Sequence, residues 1–154
     1  MPDAIQAQSA LKWNFNITDP VLIDLHSKFE ATRKSYNDKT FEVDVRDPDM
    51  LAKRLYVSRE IASKYYDIQT ALLRYKARVS LRYRLFKLEA LDSMSVSKSE
   101  EYPLTSDYEN TKNYHYVIEL LKMVDVQLSQ MEGWNQTFSR LLTVLMDNSK
   151  MGIL

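Results

Sequence analysis

The sequence predicts an all-α fold: a long antiparallel helical hairpin with coiled-coil seams, preceded by a short N-terminal helix and assembled into an oligomer. Three observations carry this expectation. Only Gly133 and Gly152 occur among 154 residues, against about 7% glycine in average usage, so tight-turned β architectures lack the residue their turns need. Two Asp-Pro pairs, Asp19-Pro20 and Asp47-Pro48, each join an N-cap carboxylate to a proline preset for the first helical position. Two long stretches then repeat apolar residues at alternating spacings of three and four, the 3.5-residue period at which helices wind around one another.

Residues 1–17 are polar and unpatterned and read as a loose arm, with Trp13 and Phe15 available to dock. After Asp19, the residues Leu22, Leu25, Phe29 and Tyr36 follow at helical spacing, which predicts a short amphipathic helix to about residue 36. Thr40 to Val45 alternates in polarity but is too short to build a sheet; it reads as extended linker or one edge strand. Residues 1–47 thus read as an N-terminal arm and short helix, and residues 48–154 as the hairpin domain.

From Asp47-Pro48 to Leu91 there is no glycine and no further proline. A continuous helix of this stretch would be a rod of about 66 Å at 1.5 Å per residue. Its apolar seam is Ile61, Tyr65, Ile68, Leu72, Tyr75, Val79 and Phe86, and a second stripe, Leu81, Leu85 and Leu88, lies on the far side. Residues 92–106 are serine-rich with Pro103 and read as the reversing loop. Ser106-x-x-Glu109 is a capping-box pattern that starts the last helix near residue 107. That helix runs to about residue 148, with the seam Tyr114, Val117, Leu121, Val124, Leu128, Met131, Asn135, Phe138, Leu142 and Leu145.

A lone hairpin this thin buries little surface for its length. Copies are therefore expected to pack together through Leu81, Leu85, Leu88, Leu121, Val124, Leu128, Met131, Asn135, Phe138 and Leu142. A single polar seam residue such as Asn135 sets register or oligomer state at some cost in stability. The alternative is that it marks a local irregularity beside Gly133 and Trp134.

Catalytic chemistry finds few parts. There is no cysteine, which excludes disulfides, thiolate metal sites and cysteine nucleophiles. Two isolated glycines exclude the glycine-rich cradles for phosphates and dinucleotides. His26 and His115 stand alone, without a second ligand at metal spacing. No Gly-x-Ser-x-Gly is present, and the carboxylate pair Glu100-Glu101 lies in a polar loop with nothing to shift its pKa. The expectation is a non-enzyme with no cofactor, no metal and no catalytic residue. The first residues lack the basic start and apolar stretch of a signal peptide, and no apolar run approaches the roughly 20 residues of a membrane span. Asn16-Ile17-Thr18 and Asn135-Gln136-Thr137 then read as accidental sequons, and the expected location is cytoplasmic.

Charge is informative only in its distribution. The chain balances 21 basic against 21 acidic residues. Residues 53–87, however, hold 10 basic and 2 acidic side chains, and residues 88–110 hold 1 basic and 6 acidic. Such block asymmetry is an interaction signal even where the total is zero. Between Ile68 and Leu88, Arg74, Lys76, Arg78, Arg82, Arg84 and Lys87 occur without an acid, and Arg74, Arg78 and Arg82 form one stripe. Arginine forks match phosphate oxygens, and aromatic faces stack unpaired bases at about 1–3 kcal/mol each. Tyr75 and Phe86 lie on the seam and read as core; Tyr83 is the stacking candidate. The competing reading pairs these arginines with acidic residues 88–110, or with residues 38–49 of a neighbour.

Ser63-Lys64-Tyr65-Tyr66, leading through the basic helix to Leu81-Arg82-Tyr83-Arg84-Leu85, resembles the phage UvsY recombination-mediator family. So does Leu104-Thr105-Ser106-Asp107-Tyr108-Glu109 followed by a heptad helix; the resemblance covers roughly residues 50–148. Its motifs are short and of modest specificity. It implies a helical, ring-forming homo-oligomer that binds single-stranded DNA. It also implies partners, a RecA-type recombinase and the single-strand-binding protein past which that recombinase is loaded. In that family the Leu-basic-x-Arg-Leu patch contacts the strand, which assigns the role to Arg82 and Arg84; Lys76-Ala77-Arg78 is an alternative frame for the same element. The alternative function is a coiled-coil structural or adaptor protein, such as a phage assembly component, without nucleic-acid binding.

Overall fold

The structure, a computed structural model, describes residues 5–7, 15–93 and 108–150, with side chains placed over 16–81, at 84 and over 110–150. In chain order it contains strand β1 (Ile5–Ala7), strand β2 (Phe15–Ile17), helix α1 (Pro20–Lys34), a 3-10 turn (Asp38–Phe41), helix α2 (Pro48–Ser93) and helix α3 (Tyr108–Lys150). The protein is mostly helical, as expected. The anticipated reversing loop and the Ser106–Glu109 capping box fall outside the described residues, apart from the first residues of that loop and Tyr108 and Glu109, which lie in α2 and α3.

Both Asp-Pro signals start helices, because the first N–H groups of a helix have no partner within it. Asp19 Oδ1 accepts from the N–H groups of Val21 at 2.8 Å and Leu22 at 3.4 Å. Asp47 Oδ1 accepts from Met50 N–H at 3.1 Å. Pro20 and Pro48 take the first helical position in each case. Helix α1 stops at Lys34, two residues before the expected end. The Ser35 hydroxyl donates to the Thr32 carbonyl at 2.6 Å, and Arg33 and Lys34 place positive charge at the helix's negative end.

Two expectations for the N-terminal region are corrected. The arm read as loose contains a strand pair: β1 and β2 are antiparallel, with Ile5 opposite Ile17 and Ala7 opposite Phe15. Ile17 is fully buried, and backbone carried inward with such a side chain needs hydrogen-bond partners, which the ladder supplies. The alternating Thr40–Val45 stretch is neither extended linker nor edge strand at its start. Asn37 Oδ1 accepts from the N–H groups of Lys39 (2.9 Å) and Thr40 (3.2 Å), while Thr40 Oγ1 accepts from Asn37 N–H at 3.0 Å. Local side-chain bonding of this kind out-competes a strand, and it turns Phe41 into the core.

The chain divides into two compact units, one formed by Met1–Lys28 and Gln69–Met123, the other by Phe29–Ile68 and Val124–Leu154. The first buries Leu22 and Leu25 of α1, Leu72 and Val79 of α2, and Val117 and Leu120 of α3. Its polar core contacts include His26 Nδ1 with the Tyr116 hydroxyl at 2.5 Å, so His26 serves as a hydrogen-bonded structural residue. Asn110 Nδ2 donates to the Val79 carbonyl at 3.4 Å.

The second unit buries Phe29 of α1, Phe41 of the 3-10 turn, Ile61, Tyr65 and Ile68 of α2, and Val124, Leu128, Met131 and Phe138 of α3. Phe41, Trp134 and Phe138 stack on one another, with centroids 5.2 Å apart for Phe41–Trp134 and 5.5 Å for Trp134–Phe138. The Tyr65 hydroxyl bonds to that of Tyr36 at 2.5 Å, and Tyr36 donates in turn to Gln127 Oε1. Helix α3 runs unbroken through Gly133, Trp134 and Asn135, which removes the local-irregularity reading. Instead the Ser58 hydroxyl donates to Asn135 Oδ1, so this polar seam residue sets register between α2 and α3 inside one chain.

Truncation in the aromatic stack is expected to be costly. Phe138→Ala should lower stability by about 3–5 kcal/mol, read as a fall in the urea midpoint. Gly133 lies in the α3 interior, and a Cβ built there meets nothing within 4 Å. Gly133→Ala should therefore raise stability by roughly 0.5–1 kcal/mol in the same measurement, since alanine loses less backbone entropy.

Candidate nucleic-acid interface

The basic stretch of α2 is oriented by one residue within it. Tyr75 is only 6% exposed, and its hydroxyl donates to Asp19 Oδ2 at 2.8 Å. Asp19 thus caps α1 with one carboxylate oxygen and binds α2 with the other. Asn113 of α3 also hydrogen-bonds the Tyr75 hydroxyl, so the three helices of this unit meet at one phenol. Among the described residues, the buried Asn113 Oδ1 atom has no hydrogen-bond partner.

With Tyr75 turned inward, helical geometry turns its neighbours outward. Arg74, Arg78 and Arg84 are exposed, and Lys76 is half-buried on the flank. The Arg78 guanidinium lies 5.6 Å from the centroid of the Tyr75 ring, a cation–π distance that holds it along the helix surface. Two apolar side chains share this outer face, Leu73 at 49% and Leu81 at 61% exposure. Among the described residues, Lys28 pairs with Asp24, Arg33 with Glu30, Lys64 with Glu60 and Lys122 with Glu119. None of these pairs involves Arg74, Lys76, Arg78 or Arg84; the acidic side chains of residues 88–110 fall outside those described.

The side chains of Arg82, Tyr83 and Lys87, and of Leu85, Phe86 and Leu88, fall outside those described. Tyr75 is core rather than a base platform, in keeping with its seam position. Of the residues assigned to contacts between copies, Leu121, Val124, Leu128, Met131 and Phe138 are already buried in the single chain. Asn135 and Leu142 are half-buried, and Leu81 is exposed. Sequence reasoning found Asp19 as a cap but not its second role, because nothing local announces a partner 56 residues away.

Among the described residues, no group of three or more His, Cys, Asp or Glu side chains could hold a metal ion, and no helix is long and apolar enough to cross a membrane. No protein-family model, no curated protein and no solved structure matches the chain.

Tyr65 and Tyr75 have hydroxyl pKa values well above the ordinary 10.0, first through burial and then through donation to Tyr36 and Asp19. An unfolded chain releases these protons near pH 10, while the folded chain holds them to higher pH. The folded form then binds more protons, so stability should fall as pH rises past 10, by about 1.4 kcal/mol per pH unit for each tyrosine. Urea midpoints across this range check the slope, and Tyr75→Phe should flatten it. Asp19→Ala should cost about 1–3 kcal/mol at neutral pH, because it removes a cap and strands a buried phenol.

Proposed function

We propose that this chain is a non-enzymatic recombination mediator that binds single-stranded DNA as a homo-oligomer and helps load a RecA-type recombinase past single-strand-binding protein. The observation that carries the DNA-binding part is the exposure of Arg74, Arg78 and Arg84 on α2, none of which has a carboxylate partner among the described residues. Exposed guanidinium groups match phosphate oxygens in charge and in fork geometry. The recombinase-loading part rests on the resemblance of residues 50–148 to the phage UvsY family, which also brings Arg82, Tyr83 and Lys87 into the strand site.

The architecture proposed is the antiparallel hairpin of α2 and α3. Exposed Leu81, continued by Leu85 and Leu88, provides the stripe through which copies associate in the host cell cytoplasm. Three or four phosphate contacts per subunit are weak alone. A ring raises effective concentration, so each engaged subunit helps its neighbours to hold the strand. Every charge contact displaces counterions, which makes binding steeply dependent on salt. The rival reading, a coiled-coil adaptor, draws on Leu73 and Leu81, whose exposed apolar surface on the same face suits a protein partner.

Titration of fluorescent oligothymidylate at low salt, with sedimentation of the same sample, separates the two. Binding should collapse between low and moderate salt, and the sedimenting species should be well above 18.1 kDa. Arg74→Ala with Arg78→Ala, and Arg82→Ala with Arg84→Ala, should each weaken binding without dissociating the oligomer. Each lost contact should reduce the salt slope by roughly 0.7. An absence of strand binding at low salt would end the mediator reading, and a clean monomer would end the assembly reading.

A further inference from the structure

The second unit holds a site that the strand-binding arginines do not use. An open cleft of about 340 Å³ is lined by Arg59 of α2 and by Asn135, Gln136, Ser139 and Arg140 of α3. Every lining residue is polar, two carry guanidinium groups and none is acidic. Neither arginine forms an ion pair among the described residues. Neither has a carboxylate three or four positions away on its own helix: those positions are Leu55, Tyr56, Ala62 and Ser63 around Arg59, and Gln136, Thr137, Thr143 and Val144 around Arg140. Glu60, next to Arg59 in sequence, pairs with Lys64 at 3.9 Å, and Glu132 accepts from the Tyr66 hydroxyl.

Two like charges facing one cleft repel unless an anion lies between them. Asn135, bonded through its side chain to the Ser58 hydroxyl, and the exposed Gln136 both bring side-chain amides to the lining. The cleft therefore combines two arginine forks, side-chain amides and the Ser139 hydroxyl. That set exceeds what the two oxygens of a carboxylate can accept and matches the oxygens of a tetrahedral oxyanion. We infer that this cleft, Arg59–Asn135–Arg140, is a binding site for a phosphate group. The site stands independently of strand binding through Arg74, Arg78 and Arg84.

The test follows the arginine Nε–H resonances of the full chain as inorganic phosphate is added, with sodium chloride holding ionic strength constant. The Arg59 and Arg140 signals should shift saturably. Arg59→Gln and Arg140→Gln should each weaken binding roughly tenfold or more, and the double substitution should abolish it. Arg59→Lys, which keeps the charge but not the fork, should weaken it less. Lys53→Gln, which removes one charge elsewhere on α2, should leave it unchanged, and thermal melting should show all variants folded. Displacement of phosphate by oligothymidylate assigns the site to a nucleic-acid backbone; failure to displace assigns it to free phosphate or a phosphomonoester, and either result supports the site. A response that never saturates, that chloride alone reproduces, or that survives in the double variant overturns it.

Discussion

A hydroxyl or amide taken out of water without a partner costs about 1–3 kcal/mol, and that penalty sets the register of these helices. Apolar seams with a 3.5-residue repeat tolerate sliding, because a shift of seven residues returns one leucine to the place of another. Polar pairs do not tolerate it. In one unit the Tyr75 hydroxyl binds Asp19 and Asn113; in the other Tyr65, Tyr36 and Gln127 form a chain, and Ser58 meets Asn135. Each set joins residues from separate helical segments, and a slipped register would strand every member. The seams supply most of the burial, and the phenols and amides select one arrangement of it.

The same constraint shapes the outer surface. Seam residues on α2 and α3 are consumed within the chain, so the faces left over carry the charge. On α2 that leftover face is basic, with exposed Leu73 and Leu81 among the arginines. A formal net charge of zero means the molecule has no uniform attraction for a polyanion. Its field is local, with a reach of about 8 Å at physiological ionic strength. A strand would be held by contact rather than drawn from a distance, and that places the weight of affinity on multiple engagement.

Much of the architecture was legible in short signals. The Asp-Pro pairs located the starts of α1 and α2, because cap chemistry is contained within three or four residues. The seam from Ile61 to Val79 and the seam from Val117 to Leu145 are buried or half-buried throughout. Short elements were not legible. Strands of three residues are too brief for a two-residue period to register, and β1 depends on a partner ten residues further along. The 3-10 turn depends on Asn37 and Thr40 capping each other, a pairing that an alternating pattern disguises.

Sequence by itself determined the helices and their inward faces, because capping and periodicity are local properties of a chain. It also determined where basic charge accumulates. Tertiary structure alone decided which polar residues would meet. That Asp19 serves Tyr75, that Asn135 answers Ser58 rather than a helix defect, and that Arg59 and Arg140 share one cleft are facts of long-range placement. Hydrogen bonds and guanidinium contacts act over about 3 Å. Residues far apart in the chain acquire such contacts only once packing has set the distance between their helices.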